Sequence, residues 1–200
     1  TVTKNASFCG TVYANSTATG TTSTSAGGGL YVAQNSSTAY TYTLGGTGTA
    51  KDCIIAGNSA SSGGGICMSN GILDVNSGTR IGGDGVKANA NQATVSGGGG
   101  IYVSSGTLNL NTGSLVGAEI TEQDGTQPSG AMTEKYQTGY SASADFCANY
   151  AEQSGGGIAV SSGTVNMTGT AAVADNYAKN YGGGISVSSA SLNIGKSATD

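Results

Sequence analysis

A glycine triplet that runs into an alternating apolar strand occurs five times in this chain, and no other feature restricts its fold as strongly. The copies begin at Gly27, Gly63, Gly98, Gly155 and Gly182. Each is followed by apolar residues two apart: Leu30 and Val32, Ile66 and Met68, Ile101 and Val103, Ile158 and Val160, Ile185 and Val187. Such alternation marks a strand with one buried face. Recurrence of the whole unit means that one structural element is stacked on itself. The intervals are 36, 35, 57 and 27 residues, so the shortest reads as one bare coil and the others carry insertions.

A second apolar pair follows each first one: Tyr42 and Leu44, Leu73 and Val75, Leu108 and Leu110, Val165 and Met167, Leu192 and Ile194. A third apolar position holds Ile81, Val116 and Val173. Three short strands per coil, each turning one face inward, describe an all-β chain: a right-handed parallel β-helix of about six coils, one domain over residues 1–200. At a strand spacing of ~4.8 Å the stack is about 30 Å long. The triplets are read as structural corners, where glycine reaches positive φ without steric cost. A second corner element precedes them, at Asn58, Asn91, Asn149 and Asn176, each followed two residues later by alanine. Asparagine tolerates tight turn geometry, and one per coil allows a ladder of stacked side-chain amides. A loop insertion at about 118–145 interrupts the pattern. It holds Glu119, Glu122, Asp124, Glu134 and Asp145, the only proline, Pro128, and Tyr136 and Tyr140. Loops on a rigid scaffold commonly carry contacts.

Composition removes several functions. Seven basic residues against eleven acidic ones, with a net charge of −4, leave no cluster to neutralise phosphates, so no nucleic-acid partner is expected. No apolar run is long enough to cross a bilayer. Four cysteines, Cys9, Cys53, Cys67 and Cys147, allow two disulfides in three pairings. Their wide spacing and the absence of histidine argue against zinc, and no cofactor is expected. Asn5, Asn15, Asn35 and Asn166 head glycosylation sequons. Together these features suggest an extracellular, oxidising setting.

Catalysis is not expected. Glycoside hydrolysis needs two carboxylates facing one substrate, whereas Asp52, Asp74, Asp84, Asp145 and Asp175 occupy unlike positions of the coil. Elimination on an acidic sugar calls for a basic group, and Arg80 is the only arginine. Gly82-Gly83-Asp84-Gly85 is a faint suggestion of a metal loop. A polysaccharide-active enzyme therefore ranks third among the functions considered.

The triplet with its Ile or Leu, joined to an apolar-x-x-Asn element, resembles the repeats of the chlamydial polymorphic outer-membrane proteins. Those repeats carry Gly-Gly-Ala-Ile and Phe-x-x-Asn. Phe146-Cys-Ala-Asn149 matches the second as written, and Ile55-Ala-Gly-Asn58 and Val173-Ala-Asp-Asn176 are looser forms. The third glycine stands where that family has alanine. The resemblance covers about residues 27–194 and implies a cell-surface passenger with an adhesive or structural role. It carries over no catalytic residue.

The segment from Thr1 to Asn5 reads like the third strand and its corner, and the segment from Leu192 to Asp200 stops part-way round a coil. Solenoid ends expose unpaired backbone groups unless they are capped. Self-association end to end through these two segments, or a place within a longer solenoid, is the expectation that follows. The leading function is a structural subunit of a surface fibre or stalk. The alternative is an adhesin that binds a glycan or host protein through outward residues such as Tyr31 and Tyr102, or through the insertion.

Overall fold

The computed structural model describes residues 6–8, 10–16, 25–34, 40–46, 53–119, 131–133, 136–137 and 142–195. Stacked parallel strands build a β-helix with four sheets along its sides. The first sheet contains the strands that follow the triplets: Leu30–Val32, Ile66–Met68, Ile101–Val103, Ile158–Val160 and Ile185–Val187. The second has six strands, Ala6–Phe8, Thr41–Leu44, Ile72–Val75, Thr107–Leu110, Thr164–Met167 and Ser191–Ile194. The third is built from Thr11–Tyr13, Cys53–Ala56, Thr79–Ile81, Leu115–Gly117 and Ala172–Ala174.

The three-strand coil needs correction, because a fourth sheet is present. Its strands, Ser59–Ala60, Asn91–Ala93, Asn149–Ala151 and Asn176–Ala178, coincide with the asparagine corners. These residues pair in parallel, Asn91 with Asn149 and Asn149 with Asn176. The asparagines are buried, and the residues after them, Gln92, Tyr150 and Tyr177, share one register column. A strand with a buried amide and a small alanine shows no apolar alternation, so it reads as a turn.

Inside the helix, equivalent residues stack in columns. Ile66, Ile101 and Ile158 pair in register and are fully buried, as are Leu73, Leu108 and Val165. Burying a side chain of this size contributes about 1.5–3 kcal/mol. One set of apolar positions repeated on every rung therefore builds one continuous core.

Each glycine of a triplet has its own reason. Gly98 sits at φ +73°, in the left-handed region. A Cβ on Gly99 would lie 2.4 Å from the Gly156 carbonyl oxygen and 2.5 Å from that of Tyr150. On Gly100 it would meet the Gly157 carbonyl oxygen at 2.7 Å and the Asn149 amide carbon at 3.1 Å. The first glycine turns the chain, and the other two let the next coil come down onto it.

The insertion leaves the third sheet after Gly117. Within it, Ala131–Thr133 and Tyr136–Gln137 pair as an antiparallel hairpin. Glu122, Asp124, Pro128, Glu134 and Tyr140 lie outside the described residues. The returning limb packs on the solenoid, where Ala142, Ala144 and Cys147 gather with Ala90, Tyr150 and Tyr177. A second loop, with a 3-10 turn at Lys87–Asn89, braces that limb. Lys87 N–H donates to the Asp145 carbonyl (3.1 Å), Gly83 N–H to that of Ala148 (2.9 Å), and the Lys87 ammonium sits 3.8 Å from the Tyr150 ring centre. Tyr150 in turn stacks on Tyr177 at 5.8 Å.

A substitution pair tests the close approach of coils. Gly99→Ala should lower unfolding free energy by about 3 kcal/mol, since a carbonyl of the adjoining coil has to move. Gly46→Ala, with nothing within 4 Å, should change it by less than about 0.5 kcal/mol. Urea denaturation followed by circular dichroism reads both.

Candidate functional site

The buried corner asparagines form a hydrogen-bonded ladder that runs the length of the described solenoid. Asn15 Nδ2–H donates to Asn58 Oδ1 (3.0 Å), Asn58 to Asn91 (3.1 Å), Asn91 to Asn149 (3.0 Å) and Asn149 to Asn176 (2.7 Å). The second Nδ2–H of each inner member reaches a third-sheet carbonyl of the preceding coil. Asn58 donates to Val12, Asn91 to Ile55, Asn149 to Ile81 and Asn176 to Val116. A carbonyl only accepts, so these contacts assign each amide's nitrogen and oxygen without ambiguity. Backbone N–H groups add to this: those of Asn15 and Asn58 donate to the Oδ1 of the next asparagine.

A second ladder, missed in the sequence, runs along the outer side of the second sheet. Asn109 Nδ2–H donates to Asp74 Oδ1 (2.7 Å), Asn166 to Asn109 (2.8 Å) and Asn193 to Asn166 (2.8 Å). A carboxylate can only accept, so Asp74 forces every later amide to point its nitrogen back toward it. The readable signal was the polar residue inside each second apolar pair: Leu73-Asp-Val75, Leu108-Asn-Leu110, Val165-Asn-Met167 and Leu192-Asn-Ile194.

Among the described residues both ladders reach as far as the C-terminal coil. Asn176 has no partner for its second Nδ2–H among the described residues, although it is only 8% exposed. The core columns surface here. Ile194 is 67% exposed and Val187 36%, whereas Val75, Leu110 and Val103 in the same columns are fully buried. At the opposite end Asn15 is exposed, and its Oδ1 accepts nothing among the described residues.

Other candidate residues are spread over the molecule. Gly27, Gly63, Gly98, Gly155 and Gly182 all have φ between +58° and +73° and line one corner. No disulfide joins any two of the described cysteines, and Cys67 and Cys147 carry buried free thiols, which corrects their assignment as disulfide cysteines. The reason is placement. Cys67 lies between Tyr31 and Tyr102 in a column of the first sheet, and Cys147 is packed under the returning limb of the insertion. Cys53 is buried in the third sheet beside Thr79, and Cys9 lies outside the described residues. Burial pushes the Cys67 thiol up to about 11 and the Cys147 thiol to about 12, the latter helped by the nearby Asp175 and Asp145 carboxylates.

Of the sequons, Asn166 has its Nδ2 and Oδ1 both engaged in the outer ladder, and Asn15 is the first member of the inner one. A glycan on either nitrogen would displace ladder hydrogen bonds. Asn5 and Asn35 lie outside the described residues, as do Thr1 and residues 196–200. The Asp84 carboxylate is used within its own loop: it accepts from Val86 N–H (3.2 Å) and Asn89 Nδ2–H (2.8 Å). It lines a groove of about 520 Å³ with Arg80 and Glu119. Among the described residues no three His, Cys, Asp or Glu side chains gather to hold a metal ion. A surface cluster joins Lys179 to Glu152 (2.5 Å), with Tyr150 Oη–H donating to the same carboxylate (2.9 Å). The Lys179 contact, chief among these, holds Glu152 below the usual carboxylate range.

Two outcomes follow. Asn91→Ala strips partners from Asn58, Asn149 and the Ile55 carbonyl and should cost about 3 kcal/mol in denaturant titrations. Both thiols stay neutral in the fold at pH values where they ionise in the unfolded chain. Their folded values are raised, so the stability they contribute is complete below pH about 9 and drains away as pH rises toward about 11 and 12. Melting temperatures should fall across that window, and fall less in a Cys67→Ala/Cys147→Ala variant. Comparison with protein-family models, curated proteins and solved structures finds no match for this chain.

Proposed function

We propose that the chain is an extracellular structural β-solenoid: a building block of a surface fibre or filament by head-to-tail stacking, or a segment of a longer surface stalk, whose coils in either case continue by stacking. The observation that carries this reading is Gly183. At Gly64, Gly99 and Gly156, the same position of earlier coils, a Cβ would meet backbone atoms of the following coil at 2.4 Å. At Gly183 the nearest atom is the Asn176 carbonyl oxygen of its own coil, at 3.1 Å, and at Gly184 the nearest is a Val173 methyl at 3.6 Å. The last coil thus keeps glycines whose purpose elsewhere is to admit a neighbour. Among the described residues, Ile194 of the same coil is also exposed. Placement at the cell surface rests on the resemblance of the repeats.

Sedimentation velocity and negative-stain microscopy test the proposal. The protein should form rods whose length rises with concentration. Gly183→Ala should stay monomeric while its unfolding free energy stays within about 1 kcal/mol of the parent. Uniform single particles of the parent at every concentration would sink head-to-tail stacking and leave the segment of a longer stalk.

A second reading, an adhesin, is favoured by one surface. Tyr31 is 54% exposed on the outer side of the first sheet. Further along, Tyr102 borders a notch of about 160 Å³ whose other lining includes Ala159, Ser161, Ser186 and Ser188. An aromatic ring among hydroxyls with no charge suits a neutral sugar. Glycan-array binding that is lost in Tyr102→Ala would move this reading ahead.

A further inference from the structure

We infer that Asn70 is a site of spontaneous modification: in the folded protein its side chain closes onto the Gly71 nitrogen, releases ammonia and leaves an aspartyl or isoaspartyl residue. The site lies in the turn that leads from a first-sheet strand to a second-sheet strand. Ser104-Ser105-Gly106 and Ser161-Ser162-Gly163 make that turn in two coils, and Ser69-Asn70-Gly71 makes it in a third. No other asparagine of the chain precedes a glycine.

The geometry of the turn suits ring closure. Asn70 is exposed, so water and hydroxide reach its side chain. The Gly71 N–H donates to Asn70 Oδ1 at 2.8 Å, which brings the backbone nitrogen up against the side-chain carbonyl that it has to attack. Holding the two groups together turns an encounter into an intramolecular step. An N–H only donates, so the same contact settles which end of the amide faces the nitrogen. Gly71 stands at φ +98° and places no side chain beside the reacting atom. Its carbonyl is held by the Thr107 N–H at 2.9 Å, while its own N–H makes no backbone hydrogen bond among the described residues. Ring closure therefore breaks no bond between coils.

The chemistry needs only base and water. Base removes the Gly71 amide proton, and the nitrogen lone pair forms a bond to Asn70 Cγ. The Cγ–Nδ2 bond then breaks, and the amine takes up a proton and leaves as ammonia, giving a cyclic imide. Water adds to either imide carbonyl. Opening one C–N bond restores the normal chain with an aspartyl side chain, and opening the other leads the main chain through the side-chain carbons. One water is consumed and one ammonia lost, with nothing oxidised or reduced. Other asparagines are held away from this path. Asn58, Asn91 and Asn149 are buried, and Asn109 and Asn166 have both amide atoms engaged in the outer ladder. The residues that follow all five carry side chains, which crowd the nitrogen.

Peptide mass spectrometry of the full chain, aged while folded in warm, mildly alkaline buffer, tests the site. Asn70 should become the acid at least about tenfold faster than Asn58, Asn109 or Asn166, because only there are nitrogen and carbonyl held together in reach of water. The product peptide should separate into two species of equal mass, aspartyl and isoaspartyl, and should carry heavy oxygen when the buffer is made with heavy-oxygen water. Asn70→Ser, which installs the residue found at Ser105 and Ser162, should fold with an unchanged melting temperature and show no conversion in that peptide. A smaller lead for Asn70, or conversion confined to the urea-unfolded chain, would overturn the inference.

Discussion

Among the described residues, the buried amides of Asn58, Asn91 and Asn149 are satisfied by the coils before and after them, and much of the structure follows from that dependence. Successive strands of one coil lie on different sides of the helix, so the backbone hydrogen bonds run along the axis to the neighbouring rungs. The buried amides obey the same rule. Asn91 takes its partners from Asn58, Asn149 and Ile55, all on other coils. A coil standing alone would leave both its amide and its apolar side chains in water, with no burial and no paired amides to offset the entropy of ordering the chain. Stacking is therefore the condition for folding at all, as in other quasi-one-dimensional proteins. The glycines serve the same end, since a methyl at Gly99 or Gly156 would hold the coils apart by striking the carbonyls that bind them.

Ladders made of amides have a direction, and here two ladders point opposite ways. The inner one donates from Asn15 toward Asn176, oriented on every rung by a backbone carbonyl that can only accept. The outer one donates from Asn193 back toward Asp74, oriented by a single carboxylate at its end. One mechanism repeats its instruction at each coil, while the other states it once and passes it on. Loss of Asp74 would leave Asn109, Asn166 and Asn193 free to reverse together, whereas no single change in the third sheet reorients the inner ladder. The inner ladder is thus the dependable record of polarity along the axis.

What was legible in the sequence was whatever repeats in apolar residues or glycine. Leu108 and Leu110 or Ile101 and Val103 alternate and so declare a strand, and the triplets declare where it begins. The fourth sheet was not legible, because Asn149-Tyr-Ala151 contains its strand in an amide, a ring and a methyl. Its asparagine was recognised as a corner and its stacking was foreseen, but not that the corner is itself a paired strand. Outer-ladder residues were hidden for another reason: a polar residue on the outer side of a strand is what solvent exposure alone would produce. Cysteine placement was beyond reach, since Cys67 and Cys147 differ from disulfide partners only in which side of the helix they occupy. The brace formed by Lys87 on Tyr150 joins residues far apart in sequence and has no periodic signature.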